Sequence, residues 1–271
     1  MAPDDRDAQL PRLHWEETGR DDGPVLALVH GFLSSNAQWM RNTERLGRQL
    51  RLVLVEQPGH GRSEPHDDPA RYTGERVVAA IDRIRETLGL QRWWVGGHSL
   101  GGAVALRYAL THPDRTAGVV FTNTRAAFGL PRVGAPPRDR PATEGLTSLR
   151  DLPLHPIHAT RFPDDVQAAM VAAADDIPFH VVDHLTTHRD DWACADELGR
   201  LSMPVLLVNG RWERRFQPCV EQARQAIADL EVVDLEGGHS INVEQAEAFD
   251  AAVLEWMTTR TNTEDTCLLA D

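Results

Sequence analysis

The chain has 271 residues, 41% of them hydrophobic, and a net charge of -13. That length fits one large α/β domain, or one domain carrying an insertion; the acidic balance without a basic patch argues against nucleic acid or anionic membrane as a partner. All 28 basic residues are arginine, which removes Schiff-base, pyridoxal-phosphate and P-loop lysine chemistry. No stretch approaches the roughly 20 consecutive apolar residues of a membrane span, and the acidic opening from Met1 to Asp7 does not read as a signal peptide. The expectation is a cytoplasmic protein acting on a small molecule, with oligomeric state left open. Cys194, Cys219 and Cys267 form neither a CxxC pair nor a disulfide framework and read as idle thiols.

In chain order, an alternating run at 13–18 predicts an edge strand, and Val25-Leu26-Ala27-Leu28-Val29-His30 predicts a fully buried one. Further strands are predicted at 52–56, 93–96, 118–122, 205–209 and 231–234, with helices at 38–50, 74–88, 100–111, 219–228 and 245–258. Strands separated by helices of this length imply a mostly parallel, doubly wound sheet covered on both faces. One segment breaks the rhythm. From 125 to 203 no buried strand appears; prolines 131, 136, 137, 141, 153 and 156 punctuate short amphipathic pieces such as 164–174 and 179–188. This predicts a helical insertion over the carboxyl edge of the sheet. The organisation expected is a core in two parts, 1–124 and 204–260, a helical cap at 125–203, and a polar, frayed tail at 261–271.

Gly97-His98-Ser99-Leu100-Gly101 lies between a predicted strand and a predicted helix. This is the G-x-S-x-G pattern of a nucleophile elbow, where only small residues fit beside the serine. Ser99 would stand at a helix N-terminus, which favours developing negative charge. A serine hydroxyl needs a base, and the base needs an acid to fix its tautomer. His239, after a predicted strand and the pair Gly237-Gly238, is the best base. The acid should follow the strand at 205–209, where Gly210-Arg211-Trp212-Glu213 offers Glu213. The loop after the preceding strand, Thr122-Asn123-Thr124-Arg125, offers no carboxylate.

Four motifs in order, His30-Gly31-Phe32, Glu56-Gln57-Pro58-Gly59-His60-Gly61-Arg62-Ser63, the elbow, and Gly237-Gly238-His239-Ser240, resemble those of α/β-hydrolase fold proteins with a cap domain. Glu56 stands where that family more often has aspartate. The resemblance implies a Ser99–His239–Glu213 triad and an oxyanion hole from the backbone N–H groups of Phe32 and Leu100. It also implies hydrolysis of a carboxylic ester or thioester, or of a C–C bond, without cofactor or metal. A lyase or cyclase of small-molecule biosynthesis and a catalytically idle binding protein are the alternatives on the same fold. His30 reads as structural, holding the oxyanion loop in place, and together with His98, Trp212 and Phe128 is also a candidate for the pocket wall. Trp39, Phe162, Phe179 and Trp192 are further aromatic candidates. His180, His184 and His188, spaced four apart, would share one helix face, but no familiar ligand spacing completes a metal set.

Overall fold

The computed structural model describes residues 9–129 and 140–268, the last eight as backbone only. Prolines 131, 136 and 137 and the extreme C-terminus of the predicted tail therefore lie outside the described residues, as does the Cys267 side chain. Seven strands form one sheet in the order β1-β3-β2-β4-β5-β6-β7. They are β1 (Trp15–Gly19), β2 (Val25–Val29), β3 (Arg51–Val55), β4 (Trp93–His98), β5 (Thr116–Thr122), β6 (Val205–Gly210) and β7 (Leu230–Leu235). Only the edge pair β1–β3 is antiparallel. All residues of β4, β5 and β6 are buried, whereas β1 is half exposed, as expected when a parallel sheet is covered on both sides.

The two-residue alternation of strand side chains divides the core. Ala27, Val29, Val53, Val55, Trp93, Val95, Phe121 and Leu207 face one way. They pack under α2 (Gly74–Thr87), α3 (Leu100–Thr111) and α6 (Gln217–Ala226). Leu26, Leu28, Leu52, Leu54, Trp94, Val120 and Leu206 face the other way, against α1 (Thr43–Gly47) and the long C-terminal helix. Trp93 and Trp94 thus bury their rings on opposite faces, Trp94 edge-on to Trp256 with centroids 5.2 Å apart.

Between β5 and β6 lie α4 (Asp164–Asp175), α5 (Phe179–Thr187) and several short 3-10 helices, without a strand among the described residues. Ile177, Val181, Val182 and Leu185 cluster with Leu33 and Tyr72 of the sheet-bearing part. Val166 and Met170 of α4 meet Val243 of α7 (Ile241–Glu244). Gly59 (φ +69°) sits directly beneath Val181, so a Cβ there would come within 2.6 Å of that side chain.

Two helices differ from expectation. The predicted helix at 38–50 breaks into a 3-10 turn, Asn36–Trp39, and α1, because the buried Asn42 between them donates to Asn242 O (3.0 Å) and Asp250 Oδ1 (2.8 Å). The last helix, α8 (Ala246–Leu268), continues past the predicted end at 258, through a stretch with neither Gly nor Pro to stop it.

Candidate active site

The centre of the sheet determines the site. β4 ends at His98, and Ser99 takes φ 53°, ψ -118° before α3 begins. A non-glycine residue rarely holds this conformation unless its surroundings enforce it. Here they do. A Cβ on Gly97 would lie 2.2 Å from the Gly101 carbonyl group, and one on Gly101 would lie 2.1 Å from Val29 O. The elbow therefore packs backbone on backbone against the end of β2. Ser99 O accepts from Gly102 and Ala103 N–H, so the Leu100 N–H precedes the first intrahelical bond and lies at the positive end of α3.

The loop after β2 stands beside the serine: a Cβ on Gly31 would meet Ser99 Cβ at 3.4 Å. His30, fully buried, donates from Nδ1 to Gly31 O (2.7 Å) and accepts the Gln57 N–H at Nε2 (3.1 Å). Gln57 Nε2 donates to His30 O at 2.7 Å. With the Gly31 carbonyl held from behind, the peptide plane directs the Phe32 N–H to the opposite side. Burial, with the neighbouring His60, lowers the His30 pKa to about 3, so the ring is a neutral strut. His30 does not line the cavity, contrary to its assignment as a pocket residue; it sits under the loop that does. Glu56, in the motif after β3, accepts the Arg62 N–H at 2.6 Å and fills the space a Cβ on Gly61 (φ +53°) would need.

The loops after β6 and β7 bring Glu213 and His239 together. His239 Nδ1 donates to Glu213 Oε2 at 2.8 Å, and Asn123 Nδ2 donates to the same oxygen at 2.7 Å. Burial disfavours the Glu213 carboxylate, but His239, Asn123 and Arg125 outweigh it and hold its pKa below the ordinary value. Burial likewise lowers the His239 pKa; the charge and hydrogen bond of Glu213, with Glu244 beyond, reverse the sign and leave it raised. Glu244 accepts the Gly238 N–H at 2.8 Å and lies 3.5 Å from Arg161, bracing the histidine loop.

His98 lies edge-on to His239, with ring centroids 4.8 Å apart, and contacts Thr122 Oγ1 at 2.9 Å and Ser240 Oγ at 3.4 Å. Its burial, next to His239 and His30, lowers its pKa well below the ordinary range.

Ser99, His239, Glu213, Phe32, Leu100, His98 and Trp212 all line one cavity of about 840 Å³ between the sheet edge and the segment after β5. No hydrogen bond joins Ser99 Oγ to His239 among the described residues. Phe162 and Trp192 also line the cavity. Phe128 does not: it is 6% exposed and packs edge-on to Phe216, because its 3-10 turn folds back onto the core side of α3. Trp39 is likewise a core residue, and Phe179 is exposed on α5. His180 and His184 approach Asp67, while His188 caps α5 and faces Asp191. No three His, Cys, Asp or Glu side chains are grouped to hold a metal ion among the described residues. Cys194 and Cys219 are buried thiols, each pushed up to about 11 by that burial.

Two residues beyond the motifs complete the site. Asn123, buried at φ 38°, accepts the Gly210 N–H at Oδ1 (3.0 Å) while holding Glu213. Its signal was an asparagine just past a central strand, where a left-handed residue is most easily placed. Glu244 had none beyond its proximity to the histidine.

Residues 24–246 match the family model described as alpha/beta hydrolase fold, and the chain belongs to that family. It is 34% identical to the proline iminopeptidase of Neisseria gonorrhoeae over 114 residues, 42% of this chain and only 37% of that protein. A Bacillus subtilis protein that carries the provisional name 2-succinyl-6-hydroxy-2,4-cyclohexadiene-1-carboxylate synthase is 26% identical over 88% of this chain and 93% of its own. The enol-lactonase of Burkholderia xenovorans LB400 superposes with a TM-score of 0.78 at 25% identity, over 91% of this chain and 96% of that one.

Proposed function

We propose that the chain is a serine hydrolase of a carboxylic ester or thioester, with Ser99 as nucleophile, His239 as base and Glu213 as its orienting acid. One observation supports this most strongly: the Glu213–His239 pair at 2.8 Å and the strained Ser99 face the same cavity. Nucleophile and base are frequently farther apart before substrate binds, so their separation here is compatible with the role.

In this mechanism Ser99 Oγ attacks the substrate carbonyl carbon as its proton passes to His239 Nε2; Nδ1–H stays on Glu213, whose carboxylate offsets the imidazolium charge. The carbonyl oxygen becomes an oxyanion facing the N–H groups of Phe32 and Leu100, which need no reorganisation to receive it. Collapse expels the alcohol or thiol, which takes the proton from His239 and leaves an acyl group on Ser99. Water, deprotonated by His239, attacks this ester and releases the acid. In this reading residues 125–203 act as a cap that determines which acyl group fits over Ser99, while 1–124 and 204–260 carry the chemistry.

The second reading is a lyase or cyclase, supported by the synthase-named relative matched over nearly its whole length. There His239 would move a proton without an acyl-enzyme. A panel of esters and thioesters of graded acyl length separates the two. Hydrolysis lost in both Ser99→Ala and His239→Ala supports the hydrolase; turnover that survives Ser99→Ala but not His239→Ala supports the alternative.

A further inference from the structure

The cavity wall has a charge balance opposite to that of the chain. The protein carries 41 acidic residues against 28 basic ones, yet five arginines line the cavity, Arg125, Arg161, Arg189, Arg214 and Arg215, against three carboxylates. Two of those carboxylates are committed within the site, Glu213 to His239 and Glu244 to the Gly238 N–H and Arg161. Elsewhere arginines find acidic partners readily, as in Arg107 with Glu197 (2.6 Å), Arg48 with Glu44 (2.7 Å) and Arg211 with Glu236 (2.9 Å). Arg189, Arg214 and Arg215 make no ion pair and no side-chain hydrogen bond among the described residues.

Three arginines from two distant segments therefore line one concavity: half-buried Arg189 of the 3-10 helix after α5, and the exposed Arg214 and Arg215 of the loop that carries Glu213. Like charges that line a cleft with low-dielectric walls repel, and their field is focused into the cleft. An incoming anion relieves that repulsion, and the forked N–H pattern of arginine fits the paired oxygens of a carboxylate or phosphate. The rest of the wall includes Leu154, Phe162, Met170 and Trp192, which suit a hydrocarbon body.

We propose that the cavity selects a substrate bearing an oxyanion, a carboxylate or a phosphate, separate from the carbonyl that reacts, and that Arg189, Arg214 and Arg215 recognise this oxyanion. The proposal rests on the serine-hydrolase reading for the reacting end alone. A compound with a positively charged amino group is disfavoured by the same field.

The test compares phenyl hydrogen glutarate with its neutral counterpart, methyl phenyl glutarate, by calorimetric binding to the Ser99→Ala protein. The anionic ester is expected to bind about tenfold or more tightly, as for a charge-assisted hydrogen bond gained in a pocket. In the triple variant Arg189→Gln, Arg214→Gln, Arg215→Gln that preference is expected to disappear. Equal affinity for the two esters, or a preference that survives the triple variant, overturns the inference. Displacement of the bound ester by acetate or by inorganic phosphate tells which oxyanion the arginines prefer. Release of phenol by the unmodified protein tests the other reading separately: preferential binding without phenol keeps the anion site and rejects the hydrolase, whereas phenol released from both esters at equal kcat/KM does the reverse.

Discussion

Asp250, on α8, is fully buried, accepts one hydrogen bond from Asn42 at 2.8 Å and leaves Oδ2 without a hydrogen-bond partner; Arg45 is 3.8 Å away. Burial raises its pKa from the ordinary 3.8 to about 7, against the opposing pull of Asn42 and Arg45. An acid whose pKa is higher in the folded state binds its proton more tightly there, so stability falls as pH rises from about 4 to about 7 and is flat above. At 1.36 kcal/mol for each pKa unit, the full loss is about 4 kcal/mol, of which about 2.5 falls between pH 5 and pH 8. His30 and His60, lowered to about 3 and about 4, slope the other way below pH 6.5, so wild-type stability alone does not isolate the effect. The comparison with Asp250→Asn does. Urea denaturation at both pH values is expected to show the variant gaining about 2.5 kcal/mol relative to wild type on going from pH 5 to pH 8. An unchanged difference between the two proteins at pH 5 and pH 8 would refute the buried-acid argument. The effect reaches toward the site, because Asn42 connects through Asn242 to Gln38 on the cavity wall.

Glu213→Gln removes the charge that raises the His239 pKa, so the acidic limb of the kcat/KM profile is expected to move to lower pH and the plateau to drop at least about 100-fold, the scale of losing a base's orienting acid; an unmoved limb would contradict the pairing. Asn123→Ala leaves the buried Gly210 N–H without its acceptor and frees Glu213, so a loss of about 2–3 kcal/mol is expected in urea denaturation, together with a fall in kcat. Gly101→Ala places a methyl group on the Val29 carbonyl and is expected to lower Tm sharply or prevent folding, whereas Gly89→Ala, with nothing within 4 Å, is expected to fold.

Much of the sheet was legible because strands such as β2, β3 and β6 carry short runs of Val and Leu that need no partner to declare themselves, and α3 spans the predicted 100–111. Glu213 was legible from its place after β6, although its four-residue neighbourhood is crowded with arginine and looks like a surface ion-pair patch. What the sequence could not disclose depends on contacts across the chain. Asn123 carries no carboxylate of its own, and its amide instead serves a carboxylate 90 residues away, a role no local pattern announces. Phe128 looked like a pocket aromatic until the turn at Gly129 (φ 64°) pointed it at Phe216. The arginines of the cavity are separated by up to 90 positions, and no local pattern links Arg125 to Arg215.

The most direct measurement is treatment of the intact protein with a fluorophosphonate, followed by mass spectrometry of the peptide containing residue 99. A single adduct on Ser99 is expected, formed rapidly in the wild type, slowed at least about 100-fold in His239→Ala and absent in Ser99→Ala. An adduct elsewhere, or labelling of Ser99 at the same rate without His239, would contradict it.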